Sequence, residues 1–236
     1  MRTALLVAMA SFLGGCLGTE GFEQRLRAQT GELMYLREMR APERRPGTVS
    51  LGTFSVEPEL PPATTVRKTG GWVVPLLLVN AWQGEYRSSL GAAQLANDYR
   101  AFMKESLEED LRRAARYRLV DGSGDLRVDV NVTKIEMSAP IAEGGHFVFL
   151  LLAVGWGNWI RAGPVDVTIE GETIVTRAGQ EPVRSTVVGR SRSRILYRKG
   201  TNADTYVADF TTAMIESLSL AVKGFNGAVV EEVNRL

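Results

Sequence analysis

A chain of 236 residues, 44% hydrophobic and 23% charged, has the composition of an ordinary folded protein and not of a disordered or fibrous one. Its formal net charge of +1 offers no excess field for nucleic acid or an acidic substrate, and no nucleic-acid partner is expected. A single Cys and a single His exclude an internal disulfide and a Cys/His zinc site.

The first residues carry a basic Arg2 and then an apolar run from Ala4 to Leu13. The run is too short to cross a bilayer and remain there, so it reads as an export signal. It ends in Leu13-Gly14-Gly15-Cys16, which resembles the bacterial lipobox. Small residues let an extended backbone enter a peptidase, and the cysteine thiol takes lipid through a thioether. The resemblance implies removal of residues 1–15 and a membrane anchor on Cys16. Leu17, not Asp, follows the cysteine; the sorting rule for such lipoproteins then implies the periplasmic face of the outer membrane. Several acyl chains on one residue hold firmly, at about 0.8 kcal/mol per buried CH₂. The plainer alternative is a generic signal peptide with an incidental cysteine.

Residues 16–47 read as a lipidated tether. Phe22, Leu26, Leu33, Leu36 and Met34 or Met39 form a loose helical stripe, broken by Gly31. Arg25, Arg27, Arg37, Arg40, Arg44 and Arg45 make it basic. It fits either a helix near anionic headgroups or a solvated spacer, ended by Pro42 and Pro46.

Residues 48–236 read as a periplasmic domain. Thr48 to Val56 alternates and predicts a strand. A polar stretch from Ala63 to Gly71 leads to an apolar one, residues 72–82. Ala92 to Tyr117 predicts a helix whose buried face is Leu95, Tyr99, Phe102, Met103, Leu107, Leu111 and Ala114. Glu108 with Arg112 and Glu109 with Arg113 make i,i+4 pairs on its solvated side. Arg118 to Val120 is a short strand before the turn Asp121-Gly122-Ser123-Gly124. Asp125 to Met137 alternates between Leu126, Val128, Val130, Val132 and Arg127, Asp129, Asn131, the mark of a sheet covered on one side. A second apolar stretch, residues 147–160, follows Gly144-Gly145. Val165 to Thr176 and Val183 to Leu196 predict a hairpin. Thr201, Asn202 and Asp204 offer helix-start chemistry, and Val207, Phe210, Thr211, Met214, Leu218 and Val222 form an amphipathic face. Gly224 is expected to break that helix before a last piece from Phe225 to Leu236.

The order implies an α+β domain: one antiparallel-rich sheet of about four strands, with two main helices packed on its dry face and two apolar insertions, 72–82 and 147–160. The lipobox, Leu107-Glu108-Glu109-Asp110-Leu111 running into Arg118-Leu119-Val120, the strand Leu126 to Ile135, the long hairpin and the helix Asp204 to Val222 together resemble the YajG-type group of small bacterial lipoproteins. That resemblance implies an outer-membrane lipoprotein with a periplasmic α+β domain and no established enzymatic role. The long basic segment and the apolar stretches depart from the pattern.

Motifs for chemistry are missing. There is no phosphate loop, no nucleophile elbow and no His-containing metal motif, so no cofactor and no enzyme are expected. His146 lacks an adjacent nucleophile and reads as a surface or turn residue. Arg184, Arg190, Arg192 and Arg194 share one strand face. They form either a basic ladder for phosphates or the partners of acids; simple hairpin register sets Glu170 opposite Arg190 and Asp166 opposite Arg194. All four tryptophans, Trp72, Trp82, Trp156 and Trp159, lie in the apolar stretches. They are extra core or a contact for lipid or a protein, and one hypothesis sets the stretches side by side as an exposed patch. The reading is a non-catalytic interaction module, bound to the membrane through lipid on Cys16 and docking on another envelope protein. The alternative is an accessory lipoprotein of lipid or lipopolysaccharide transport, with an apolar ligand groove between helices and sheet.

Overall fold

A chain segment with apolar residues on alternate positions seeks one wet and one dry side, and Leu126 to Val132 does so here: Leu126, Val128, Val130 and Val132 are buried while Arg127 is exposed. In a computed structural model, which describes residues 19–36, 43–75, 79–150, 153–199 and 203–236, this segment opens a strand far longer than the pattern predicts. The elements in order are α1 (Thr19–Arg27), β1 (Thr48–Val56), β2 (Thr65–Pro75), β3 (Val79–Ser89), a 3₁₀ turn (Ala92–Gln94), α2 (Tyr99–Ala114), β4 (Arg118–Leu119), β5 (Leu126–Leu150), β6 (Ala153–Ala162), β7 (Asp166–Arg177), β8 (Val183–Arg192), β9 (Leu196–Lys199) and α3 (Ala203–Arg235).

The sheet has nine strands, with three helices among the described residues. This overturns the expected sheet of about four strands with two helices, although the class remains α+β. Strand β5, 25 residues long, organises it. Its first half pairs with β1 in parallel and with β7 antiparallel, and β4 and β8 extend these neighbours outward. Its second half pairs antiparallel with β3 and β6, which β2 and β9 extend. The two apolar stretches are therefore strands of the sheet, not insertions on it. Period-two patterning cannot announce a strand whose two faces are both apolar.

One extra residue sets the geometry of β5. Between Val132 and Lys134 its register with β7 shifts, leaving Thr133 as a bulge. Before the bulge even-numbered residues face the helices. After it odd-numbered ones do, and Ala139 and Ile141 are buried on that side.

The helices cover one face of the first half. Helix α3 runs unbroken through Gly224, contrary to the expected break, and buries Tyr206, Phe210, Met214, Leu218 and Phe225. Its close approach needs Gly189 on β8, where an added Cβ would lie 2.7 Å from Phe225 Cβ and against the Ala221 carbonyl. Gly224 itself has room, its nearest neighbour being 3.5 Å from such a Cβ. Helix α2 begins later than predicted. Leu95 bridges to Gly31 instead, and Asp98 caps the helix by accepting from the Arg100 and Ala101 N–H groups at 2.7 and 3.0 Å. Tyr99, Met103, Leu107 and Leu111 form its buried face. On the wet side Glu109 pairs with both Arg112 and Arg113, and Glu108 with Lys104.

Two further expectations are corrected. Phe22, Leu26 and Leu33 are buried in the domain's own core, so this part of the stripe faces protein and not headgroups or solvent, while Met34 is exposed and Met39 lies outside the described residues. The β7–β8 register centres on Gly179, not Gln180. Asp166 faces Arg192, Thr168 faces Arg190 and Glu170 faces Val188. Asp166 pairs with Arg192 at 3.5 Å, and Glu170 with Lys134 of β5 at 3.8 Å. Arg194 lies beyond the strand end. Thr201 and Asn202, the expected helix start, lie outside the described residues.

Candidate functional site

Lys68 and Glu85 bracket an uncharged stretch, residues 69–84, and Glu143 and Arg161 bracket another, residues 144–160. The fold turns both into hairpins pointing the same way, β2–β3 and β5–β6. It then joins them edge to edge through β3 and β5: Val79 faces Val148, Asn80 faces Phe147 and Trp82 faces Gly145. The two Trp-bounded stretches thus lie side by side, in the strand order β2-β3-β5-β6. The product is a four-stranded blade standing off the end of the helical body. From Gly144 to Leu150 its uncharged part is about 20 Å long, at about 3.3 Å per residue.

The tryptophans divide between the two faces. Val73, Trp82, Gly145 and Asn158 form one cross-strand row, and Asn80, Phe147 and Trp156 form another on the same face. Trp72, Gln83, Gly144 and Trp159 form a row on the opposite face. Glycines let two of the rings lie flat across neighbouring strands. Trp82 covers Gly145, and an added Cβ at Gly144 would sit 2.6 Å from Trp159 Cζ2. Trp82 and Trp159 are half-buried in consequence. The other two stand out: Trp156 is 78% exposed and Trp72 49%, with Val73, Val154 and Val74 also exposed. Exposed apolar side chains gathered at one end of a molecule mark a contact surface. Trp72 keeps its polar atom satisfied, Nε1 donating to Gln83 Oε1 at 3.1 Å.

Charge returns abruptly at the root of the blade. Gly84, Glu143, Ile160 and Arg198 share one row, with Lys199 beside Trp159 in the row outside it. Tyr86 Oη donates to Glu143 Oε1 at 2.9 Å. Burial holds the Glu143 carboxyl above its ordinary value, against the opposing effects of that hydrogen bond and of Lys68.

A second polar cluster sits between α2 and α3. Asp110, 2% exposed, accepts from Tyr35 Oη at 2.8 Å and from Lys223 Nζ at 3.3 Å. Burial, and then the Asp110 hydrogen bond, push the Tyr35 phenol upward. Asn226 Nδ2 donates to Ser106 Oγ at 3.0 Å close by. The groups contact one another and leave no room for a ligand. They pin residues 31–36 to the helices, as does the Met34 N–H donating to Ser219 Oγ at 3.1 Å.

Of the residues the sequence singles out, Trp72, Trp82, Trp156 and Trp159 come together in the blade. His146 is exposed in mid-strand, its ring against Gly157, and not in a turn. Arg184, Arg190 and Arg192 lie along β8, away from the blade. Leu13, Gly14, Gly15 and Cys16 lie outside the described residues. Sequence reading misses Glu143, although an acid directly before Gly144-Gly145 and an uncharged run is its trace. It also misses Asp110, which hides in the charge run of α2.

No family model matches the chain, and no curated protein is significantly similar to it. The crystal structure of protein XCC0632 from Xanthomonas campestris, described by the DUF330 family model, is similar at a TM-score of 0.39 and 13% identity. The likeness covers 88% of this chain and 97% of that one, and it is too slight to transfer a fold or a role.

Proposed function

We propose that the chain is a non-catalytic envelope lipoprotein, anchored through lipid on Cys16 at the periplasmic face of the outer membrane, whose α+β body presents the blade to another envelope component. The observation that carries the contact role is the blade itself: a projecting sheet without Asp, Glu, Lys or Arg over residues 69–84 and 144–160, with Trp156, Val73, Val154 and Trp72 exposed along it. The lipobox and the resemblance to YajG-type lipoproteins support the anchor. The layer between helices and sheet, where an apolar ligand groove would lie, is filled by Tyr206, Phe210, Met214 and Leu218. Contact through the blade is favoured over carriage within the body.

Two measurements test this. Cys16→Ala is expected to abolish fatty-acid labelling of the protein in cells. With Cys16 intact, Trp72→Ser combined with Trp156→Ser is expected to leave the melting temperature unchanged, since both side chains are exposed, and to remove the crosslinked species formed in native envelopes. A Cys16→Ala protein that is still labelled, or crosslinks indifferent to the double substitution, would sink the reading.

A further inference from the structure

A sheet edge offers a row of unpaired N–H and C=O groups, and proteins blunt such edges with charge, proline or a covering element. The body of this molecule does so at both margins of its upper sheet. On the β2 side, α1 covers the edge: the Val66 N–H donates to Glu23 Oε2 at 3.3 Å, and Arg27 Nε donates to the Thr64 carbonyl at 2.9 Å. On the β6 side, β9 pairs as far out as Trp159. Beyond these points both edges are open among the described residues. Trp72, Val73 and Val74 on one side, and Val154 to Asn158 on the other, carry no charge. The open edges coincide with the part of the blade that carries no Asp, Glu, Lys or Arg, its polar side chains there being Asn80, Gln83, His146 and Asn158.

Three observations place that part in a bilayer. Its uncharged length is about 20 Å before the connecting residues are counted, against an apolar band about 25 Å tall in outer-membrane barrels. Trp72 and Trp159 sit in the row nearest the charged root and Trp82 in the next, the level at which Trp meets headgroups, while Trp156 stands two rows further out. The third is the position of the anchor. Glu23 lies at Val66 and Arg27 at Thr64, so α1 runs antiparallel to β2. One more helical turn, a rise of about 6 Å, brings its first residue, Thr19, level with about Lys68. Cys16 precedes Thr19 by three residues and lies at most about 11 Å from it. Lipid on Cys16 is therefore tied within that reach of the blade's root.

Hydrocarbon admits no open sheet edge, because each unpaired backbone group there costs several kcal/mol. We infer that copies of this chain pair β2 of one with β6 of the next, each giving four strands to a shared transmembrane β-barrel. Strand direction permits it. The order β2-β3-β5-β6 alternates throughout, so β2 and β6 run oppositely and the seam between copies is antiparallel as well. Four strands per copy keep the total even for any number of copies, as closed antiparallel barrels require. The contact is head-to-tail between two different edges, the kind that closes into a ring. The inference rests on the lipid-anchor reading above.

The test uses the full lipidated protein, reconstituted in phosphatidylethanolamine–phosphatidylcholine vesicles with brominated acyl chains. Most of the tryptophan emission is expected to be quenched, because all four tryptophans lie in the blade. For the seam, Val73→Cys is combined in turn with Val154→Cys, Trp156→Cys and Asn158→Cys, all on one face and exposed. At least one pair is expected to give a ladder of disulfide-linked oligomers on oxidation, and each single variant none. Quenching of a protein that stays monomeric in detergent would mean a hairpin tip dipping into one leaflet, and would overturn the barrel. Dimers from Val73→Cys alone would overturn head-to-tail closure. Unquenched emission with a protein partner bound would overturn insertion. Mass spectrometry of the N-terminal peptide in the same sample reports acylation of Cys16 separately, so a wrong anchor and a wrong barrel are told apart.

Discussion

At the scale of single residues, Glu143 is the group whose chemistry depends most on its place in the fold. It is the last charge before the apolar blade, and burial raises its pKa above the ordinary value. From the ordinary carboxylate value upward to that raised value, the folded chain holds a proton which the unfolded chain has released. Stability therefore falls as pH rises through that window. Glu143→Gln removes the decline: the variant is expected to match its parent at about pH 4, near the ordinary Glu pKa, and to exceed it at about pH 7. Urea unfolding at the two pH values checks this, and equal stability differences at both would refute the assignment. The residue could not be singled out from sequence. An acid next to Gly144-Gly145 looks like the end of a loop until register sets it between Gly84 and Ile160, within reach of the Tyr86 hydroxyl. The tryptophans were legible because Trp is scarce and all four fall in two runs. Their division between two faces was not, because it depends on the register of β2 with β3 and of β3 with β5.

At the scale of elements, two glycines of α3 and β8 have opposite meanings that sequence alone does not separate. Gly224 lies inside α3, where an added Cβ would meet its nearest neighbours at an ordinary contact distance of 3.5 Å, and glycine in a helix interior costs about 0.5–1 kcal/mol relative to alanine. Gly224→Ala is expected to raise the unfolding free energy by about that amount. Gly189→Ala should lower it, because the new methyl meets the Ala221 carbonyl and Phe225 and forces α3 off the sheet; overpacking of this kind typically costs about 1–3 kcal/mol. Chemical denaturation of the two variants tests both signs. Elements with one wet face were readable: the first half of β5 and the inner face of α2 follow their hydrophobic period. The blade strands were not, since apolar residues on both sides erase that period. The β7–β8 hairpin was read with the right strands and the wrong register, because which residue of the turn lies at its centre is a property of backbone geometry, with Gly179 at a φ of 77°.

At the scale of the whole molecule, the N-terminal segment changes meaning. Read as a thirty-residue leash, it would let the domain wander about 30 Å from its anchor. With α1 docked, the free length between Cys16 and the body is three residues. Leu26 is fully buried in this contact, and Leu26→Asp is expected to release α1 at a cost no smaller than a buried Leu→Ala, about 2–5 kcal/mol. Limited trypsin digestion should then cut at Arg25 and Arg27 where the parent resists, and unchanged resistance would show that the helix is held by other means. The docking of α1 was not legible in the sequence, because it depends on Leu26 and Leu33 finding a core assembled from distant parts of the chain.

The continuity of β5 has a mechanical consequence. Its 25 residues, about 80 Å of chain at about 3.3 Å per residue, run through both the blade and the helical body, with the bulge at Thr133 in the body half. Hydrogen bonds in an antiparallel ladder lie across the strand axis, so a pull along the blade loads every bond of the ladder together in shear, whereas a sideways pull peels them one at a time. The molecule is stiff along the line from blade to body and weak across it. A tug on the blade's far end reaches the layer beneath α3 as a displacement of the same strand, passing the bulge at Thr133 on the way.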